Sequence, residues 1–100
     1  MPRMKLQETT GNVFRDLGFD EGESASMRIR AELMVKLSEM IRRRQLTQTA
    51  AAKLLGVTQP RISDLMRGRI DLFSIDTLVD MVSRVGGTVR VSVKEASRAA

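Results

Sequence analysis

Residues 48–67, QTAAAKLLGVTQPRISDLMR, place Ala52, Gly56, Ile62 and Leu65 at the fifth, ninth, fifteenth and eighteenth positions of a twenty-residue window. Two short helices crossing at a steep angle need a small side chain where their backbones approach and a residue that turns the chain with positive φ. Ala52 and Gly56 meet those two needs. The second helix must also bury two apolar residues three apart, as Ile62 and Leu65 are, because such positions share one helix face. Thr47 and Thr58 stand where N-caps belong, and Gly56 and Gly68 where helices stop. Pro60 falls in a first turn, where its missing N–H removes no helix hydrogen bond. A single longer helix would have to absorb both Gly56 and the pre-proline bias at Gln59. The spacing therefore predicts one helix over residues 48–55 and a second from the Thr58 cap to about Arg67, joined tightly as a helix-turn-helix.

The flanks supply what this unit packs against. A long helix is expected over residues 24–44, with Ser24 as its N-cap and Leu33, Leu37, Met40 and Ile41, joined by Met27 and Met34, as its buried stripe. Glu39 and Arg43 are spaced for an i, i+4 pair on its outer side. Leu46 should bury the connection that follows. After the helix-turn-helix, Ile70, Leu72 and Phe73 are expected to tuck beneath the second of its helices. Ser74 then caps a further helix with Leu78, Met81, Val82 and Val85 inward, Asp76 at its positive end and Gly86-Gly87 at its close. Residues 88–93, TVRVSV, alternate Val with polar residues and predict a short C-terminal β-strand. One hundred residues make one domain, all-α, of four to five helices plus that strand. Its parts are an arm or docking segment (1–23), the helix-turn-helix domain (24–87), and a C-terminal strand and tail (88–100).

Two pieces need a partner surface. A lone strand leaves its N–H and C=O groups unpaired, so Val89, Val91 and Val93 are candidates for pairing with the same strand of a second copy. An antiparallel pair about a two-fold axis would make a homodimer with two such units at fixed spacing. The alternative source of pairing is the N-terminal segment of the same chain, which shows no matching alternation. Val13, Phe14, Leu17 and Phe19 form an apolar segment too short to fold alone, so it docks on this domain's helices or on another protein. Asp16, Asp20, Glu21 and Glu23 give it an acidic character.

Charge narrows the partner. The net charge is +5, and from Arg42 to Arg69 seven bases (Arg42, Arg43, Arg44, Lys53, Arg61, Arg67, Arg69) face one acid, Asp64. The remainder is slightly acidic, so the positive field sits on the helix-turn-helix, as a nucleic-acid partner requires. Arg42, Arg43 and Arg44 serve equally to oppose the negative end of their helix and to contact phosphate. Lys53 and Arg69 are further phosphate candidates. Cys and His are absent, which removes disulfides, thiolate nucleophiles, imidazole bases and most zinc sites. No metal, no cofactor and no enzymatic activity are expected, and scattered acids offer no convergent titratable set. Tyr and Trp are absent too, which disfavours single-strand binding by stacking. Without a long apolar run or the apolar core of a signal peptide, the expected place is the cytoplasm, at the nucleoid only through DNA.

Residues 46–68, LTQTAAAKLLGVTQPRISDLMRG, resemble the lambda-repressor and Cro-like helix-turn-helix family, also called the xenobiotic-response-element (XRE) type, over about residues 33–85. The resemblance implies that Gln48 braces a phosphate and Gln59, while Gln59, Arg61 and either Ser63 or Asp64 face base edges in the major groove. Gln, Arg and Asp can each distinguish a base pair there, and Thr58 and Arg67, at the helix ends, suit phosphates. Asp64 is better placed for an intrahelical ion pair with Arg61 or Arg67. Pro60 departs from the small polar residue usual at its position and offers apolar contact only. The NVFRDLGF segment and the terminal strand are similar to small antitoxins of the host-inhibition-of-growth type. That resemblance implies a dimeric repressor of its own operon that also neutralises a small basic mRNA-cleaving toxin. The alternatives are a stand-alone regulator with no toxin partner and a helical protein-interaction adaptor.

Overall fold

The computed structural model describes residue 18 and residues 20–95, so the arm over residues 1–17 and the docking candidates Val13, Phe14, Leu17 and Phe19 lie outside the described residues. Among the described residues four α-helices follow in order: α1 (Glu21–Arg43), α2 (Gln48–Leu55), α3 (Gln59–Met66) and α4 (Ile75–Arg84), with a 3₁₀ turn at Ile70–Leu72 between the last two. Helix α1 begins three residues ahead of expectation. Its N-cap is Asp20, whose carboxylate accepts from the Glu23 N–H at 2.7 Å while the Asp20 N–H donates back to Glu23 Oε1 at 3.4 Å. This reciprocal box, with Glu21 and Glu23 at the positive end of the helix, outcompetes Ser24, which is instead buried in the first turn.

The far end of α1 turns without glycine. Gln45 takes φ 55, its N–H donates to the Arg42 carbonyl, and the Leu46 N–H reaches the Ile41 carbonyl. This is the two-bond closure that usually places glycine at the left-handed position, with half-buried Leu46 packing behind it. Helix α3 closes the same way with Gly68, whose N–H donates to Leu65 while Arg69 donates to Asp64.

The core gathers one stripe from each helix: Met34, Leu37 and Ile41 from α1, Ala51, Ala52 and Leu55 from α2, Ile62 and Leu65 from α3, and Leu78, Met81 and Val82 from α4, with Val85. Leu33 and Met40 sit at its edge, half-buried. Phe73 is buried beneath α3 and Ile70 partly so, as expected, but Leu72 points out, because the 3₁₀ turn places only one of the two inward. Glu39 and Arg43 form no ion pair; among the described residues the ion pairs found are Arg84 with Asp80 and Arg69 with Asp71.

The expected C-terminal strand is not seen. Residues 87–95 belong to no helix or strand, and residues 88–95 make no backbone hydrogen bonds to other backbone groups among the described residues. Val89 packs against the edge of the core, whereas Val91 and Val93 are 82% and 88% exposed. Alternation can prepare a strand but cannot supply the neighbour that makes one. No described helix is long and apolar enough to cross a membrane.

Candidate nucleic-acid interface

Helix α3 is eight residues long and is fixed at both ends by its own sequence. The Thr58 hydroxyl accepts from the Arg61 N–H at 3.4 Å, Pro60 sits in the first turn, and Gly68 completes the exit. Ile62 and Leu65 are fully buried, so the helical period turns Gln59, Pro60, Ser63 and Arg67 away from the core. Thr58, Gln59, Pro60 and Arg67 are exposed and Ser63 is half-buried.

Helix α2 holds this reader candidate in place. Thr47 accepts from the Ala50 N–H at 3.0 Å, which leaves Gln48 exposed at the first position of the helix. At the other end Gly56 adopts φ 71 and the Val57 N–H returns to the Ala52 carbonyl. A Cβ on Gly56 would also lie 2.8 Å from the Arg84 guanidinium, which Asp80 holds at 2.9 Å. Fold-level demands on Gly56 thus come from two directions: the turn itself and the end of α4 above it.

The basic residues divide by what they touch. Arg42, Arg43, Lys53 and Arg67 are exposed and make no side-chain hydrogen bond or ion pair among the described residues. Arg44, expected among the phosphate candidates, donates from Nη2 to the Val85 carbonyl at 2.9 Å and ties the end of α1 to the end of α4. Arg69 lies 4.0 Å from Asp71 in an exposed pair. Asp64 forms no ion pair with Arg61 or Arg67. The Arg61 guanidinium goes instead to the face of the Phe73 ring, 4.4 Å from its centroid.

Arg30 is the residue the sequence pattern did not yield. From α1 its Nη1 reaches the Ile70 carbonyl at 3.2 Å and the Phe73 carbonyl at 3.3 Å, while its Nε is buried without a partner. It therefore pins the loop that runs from α3 to α4. The legible signal was its register: Arg30 falls in step with Met27, Met34, Leu37 and Ile41, where a charge has no place unless the fold supplies it with acceptors. The described residues hold no cluster of three or more acids placed to bind a metal ion.

With this geometry established, comparison with known proteins is direct. Residues 13–94 match a protein family described as a helix-turn-helix domain, and the chain belongs to it. A solved protein described as a "Putative XRE Family Transcriptional Regulator" superposes with a TM-score of 0.70 at 26% sequence identity, covering 78% of this chain and 88% of that one. No curated protein matches significantly. Family and fold make this chain an XRE-like helix-turn-helix regulator, of a class that is typically non-enzymatic. DNA binding is the property that this class carries.

Proposed function

We propose that the chain is a sequence-specific transcriptional repressor that binds its operator as a homodimer through the outer face of α3. The observation that carries this is the exposed set Gln59, Pro60, Ser63 and Arg67 on a helix whose ends are closed and whose inner face is fully buried. Gln48 and Thr58 stand at the two helix starts for phosphate, and Arg42, Arg43 and Lys53 extend the positive surface around them. Arg44 ties α1 to α4 through one N–H at Val85 and, being exposed, keeps its other N–H groups for phosphate.

Residues 88–93 support the dimer. They leave α4 beside an open groove of about 770 Å³ lined by Ile29, Leu33 and Met40 of α1 and Val79 and Val82 of α4, with Val91 and Val93 uncovered. A second copy pairing along this segment would satisfy its backbone and set two α3 helices at a fixed separation, as a palindromic operator demands. The protein works in the cytoplasm and reaches the nucleoid through DNA.

The same chain acts as the antitoxin of a two-gene operon, holding a small basic mRNA-cleaving toxin. The resemblance of residues 12–19 to such antitoxins motivates this, and the acidic residues Asp16, Asp20, Glu21 and Glu23 within and after that segment suit a basic partner. Co-purification from the native host tests both halves. Operator DNA together with a small basic protein is the expected outcome; DNA alone would leave a stand-alone regulator. The absence of any salt-dependent duplex binding would favour the adaptor, because phosphate contacts weaken as salt rises.

A further inference from the structure

Four arginines of this domain already have a polar partner: Arg30 the Ile70 and Phe73 carbonyls, Arg44 the Val85 carbonyl, Arg84 the Asp80 carboxylate and Arg69 the exposed Asp71 carboxylate. Arg61 is held differently. Its contact is with the π face of Phe73, and no side-chain hydrogen bond or ion pair of Arg61 occurs among the described residues. A stacked guanidinium is fixed through its flat face, while its N–H donors lie in the plane of the group and remain free. Those nitrogens also stay within reach of solvent: Arg61 is half-buried, yet the buried side-chain polar atom without a partner is Arg30 Nε.

Behind the ring stands a rigid support. Phe73 is 2% exposed, and Arg30 holds its carbonyl and that of Ile70 from α1. The chain of contacts therefore runs from α1 through the loop after α3 to the ring, and from the ring to the third residue of α3. We propose that Phe73, which lies outside the helix-turn-helix, is a positioning residue that presents the edge of Arg61 to a guanine in the major groove. This rests on α3 being the DNA reader. Guanine offers O6 and N7 to a bidentate Arg, and first-turn residues of a reader helix are those that reach base edges. Stacking limits the rotamers that Arg61 would otherwise lose on binding, so the ring sharpens discrimination at one base pair and leaves the other contacts unchanged.

The test is enrichment of binding sites from a pool of random duplexes by the full chain, followed by competition between the enriched duplex and versions altered one base pair at a time. Arg61→Ala should abolish the preference at one G·C pair, worth about 5- to 150-fold, Arg61→Lys should weaken it, and both should leave the other positions intact. Phe73→Leu should cut that same preference by about 2- to 5-fold, leave the salt slope unchanged, and have no further effect in an Arg61→Ala background. Circular dichroism and melting confirm folding, with Phe73→Met as the second variant. An enriched motif that Arg61→Ala retains overturns the proposal alone. So does a uniform loss of affinity with a salt slope reduced by about one, which marks a phosphate contact. Loss at every position with Phe73→Leu in a folded protein makes the ring merely structural and overturns its positioning role. A wild-type chain that enriches no motif overturns the DNA-reader function itself.

Discussion

Helix α3 and residues 88–93 both carry regularly spaced apolar side chains, yet one is fully settled within the chain and the other is not. In α3, Ile62 and Leu65 are buried, Thr58 closes the start and Gly68 the end. In residues 88–95, Val91 and Val93 face solvent and the backbone pairs with no other among the described residues. A helix satisfies its N–H and C=O groups from within, four residues away, whereas a strand must borrow its partners. The lesson is that the proposed reading surface is complete in one copy, and the segment proposed to set two copies at a distance is not.

The sharpest way to break this contrast is to damage the core beneath α3. Leu65→Ala should cost about 2–5 kcal/mol of unfolding free energy in urea titration, because a fully buried leucine leaves a cavity in a small core. A cost near zero would mean that α3 is not anchored as described. Gly56→Ala should cost about 1–2 kcal/mol by the same measurement, from the left-handed φ of 71, with Arg84 also having to move. Gln45→Gly should act in the opposite direction, stabilising the fold by about 0.5–1 kcal/mol, since Gln45 holds a left-handed conformation that glycine takes without strain. Smallest in its effect on helicity is the pair Val91→Asp with Val93→Asp. It should leave the helical circular dichroism unchanged and convert a sedimenting dimer to monomer; an unaltered dimer would place the interface elsewhere.

Legibility in the sequence follows the reach of each interaction. Thr47, Thr58 and Ser74 cap their helices where the sequence placed them, and Ala52, Gly56, Ile62 and Leu65 occupy the roles their spacing assigned, because each acts within a few residues. The start of α1 differs from the expected one because two competing caps, Asp20 and Ser24, stand four residues apart and the reciprocal bonds between Asp20 and Glu23 favour the first. Contacts across the fold were hidden. The Arg30 bonds span 40 and 43 residues, and the stacking of Arg61 on Phe73 replaced an expected pair with Asp64 that looked better in one dimension. Nor could alternation at Val89, Val91 and Val93 disclose a partner, since register and neighbour are properties of two segments.

The central claim is that the outer face of α3 reads sequence, and Gln59→Ala tests it most directly. Affinity for a duplex enriched by the wild-type chain should be compared with that for a scrambled duplex, at several salt concentrations. The expected result is a wild-type preference of about 10³ or more, of which the variant loses about 1–3 kcal/mol at one base pair, with the salt slope unchanged. A Gln59→Ala protein that keeps the full preference would contradict the account.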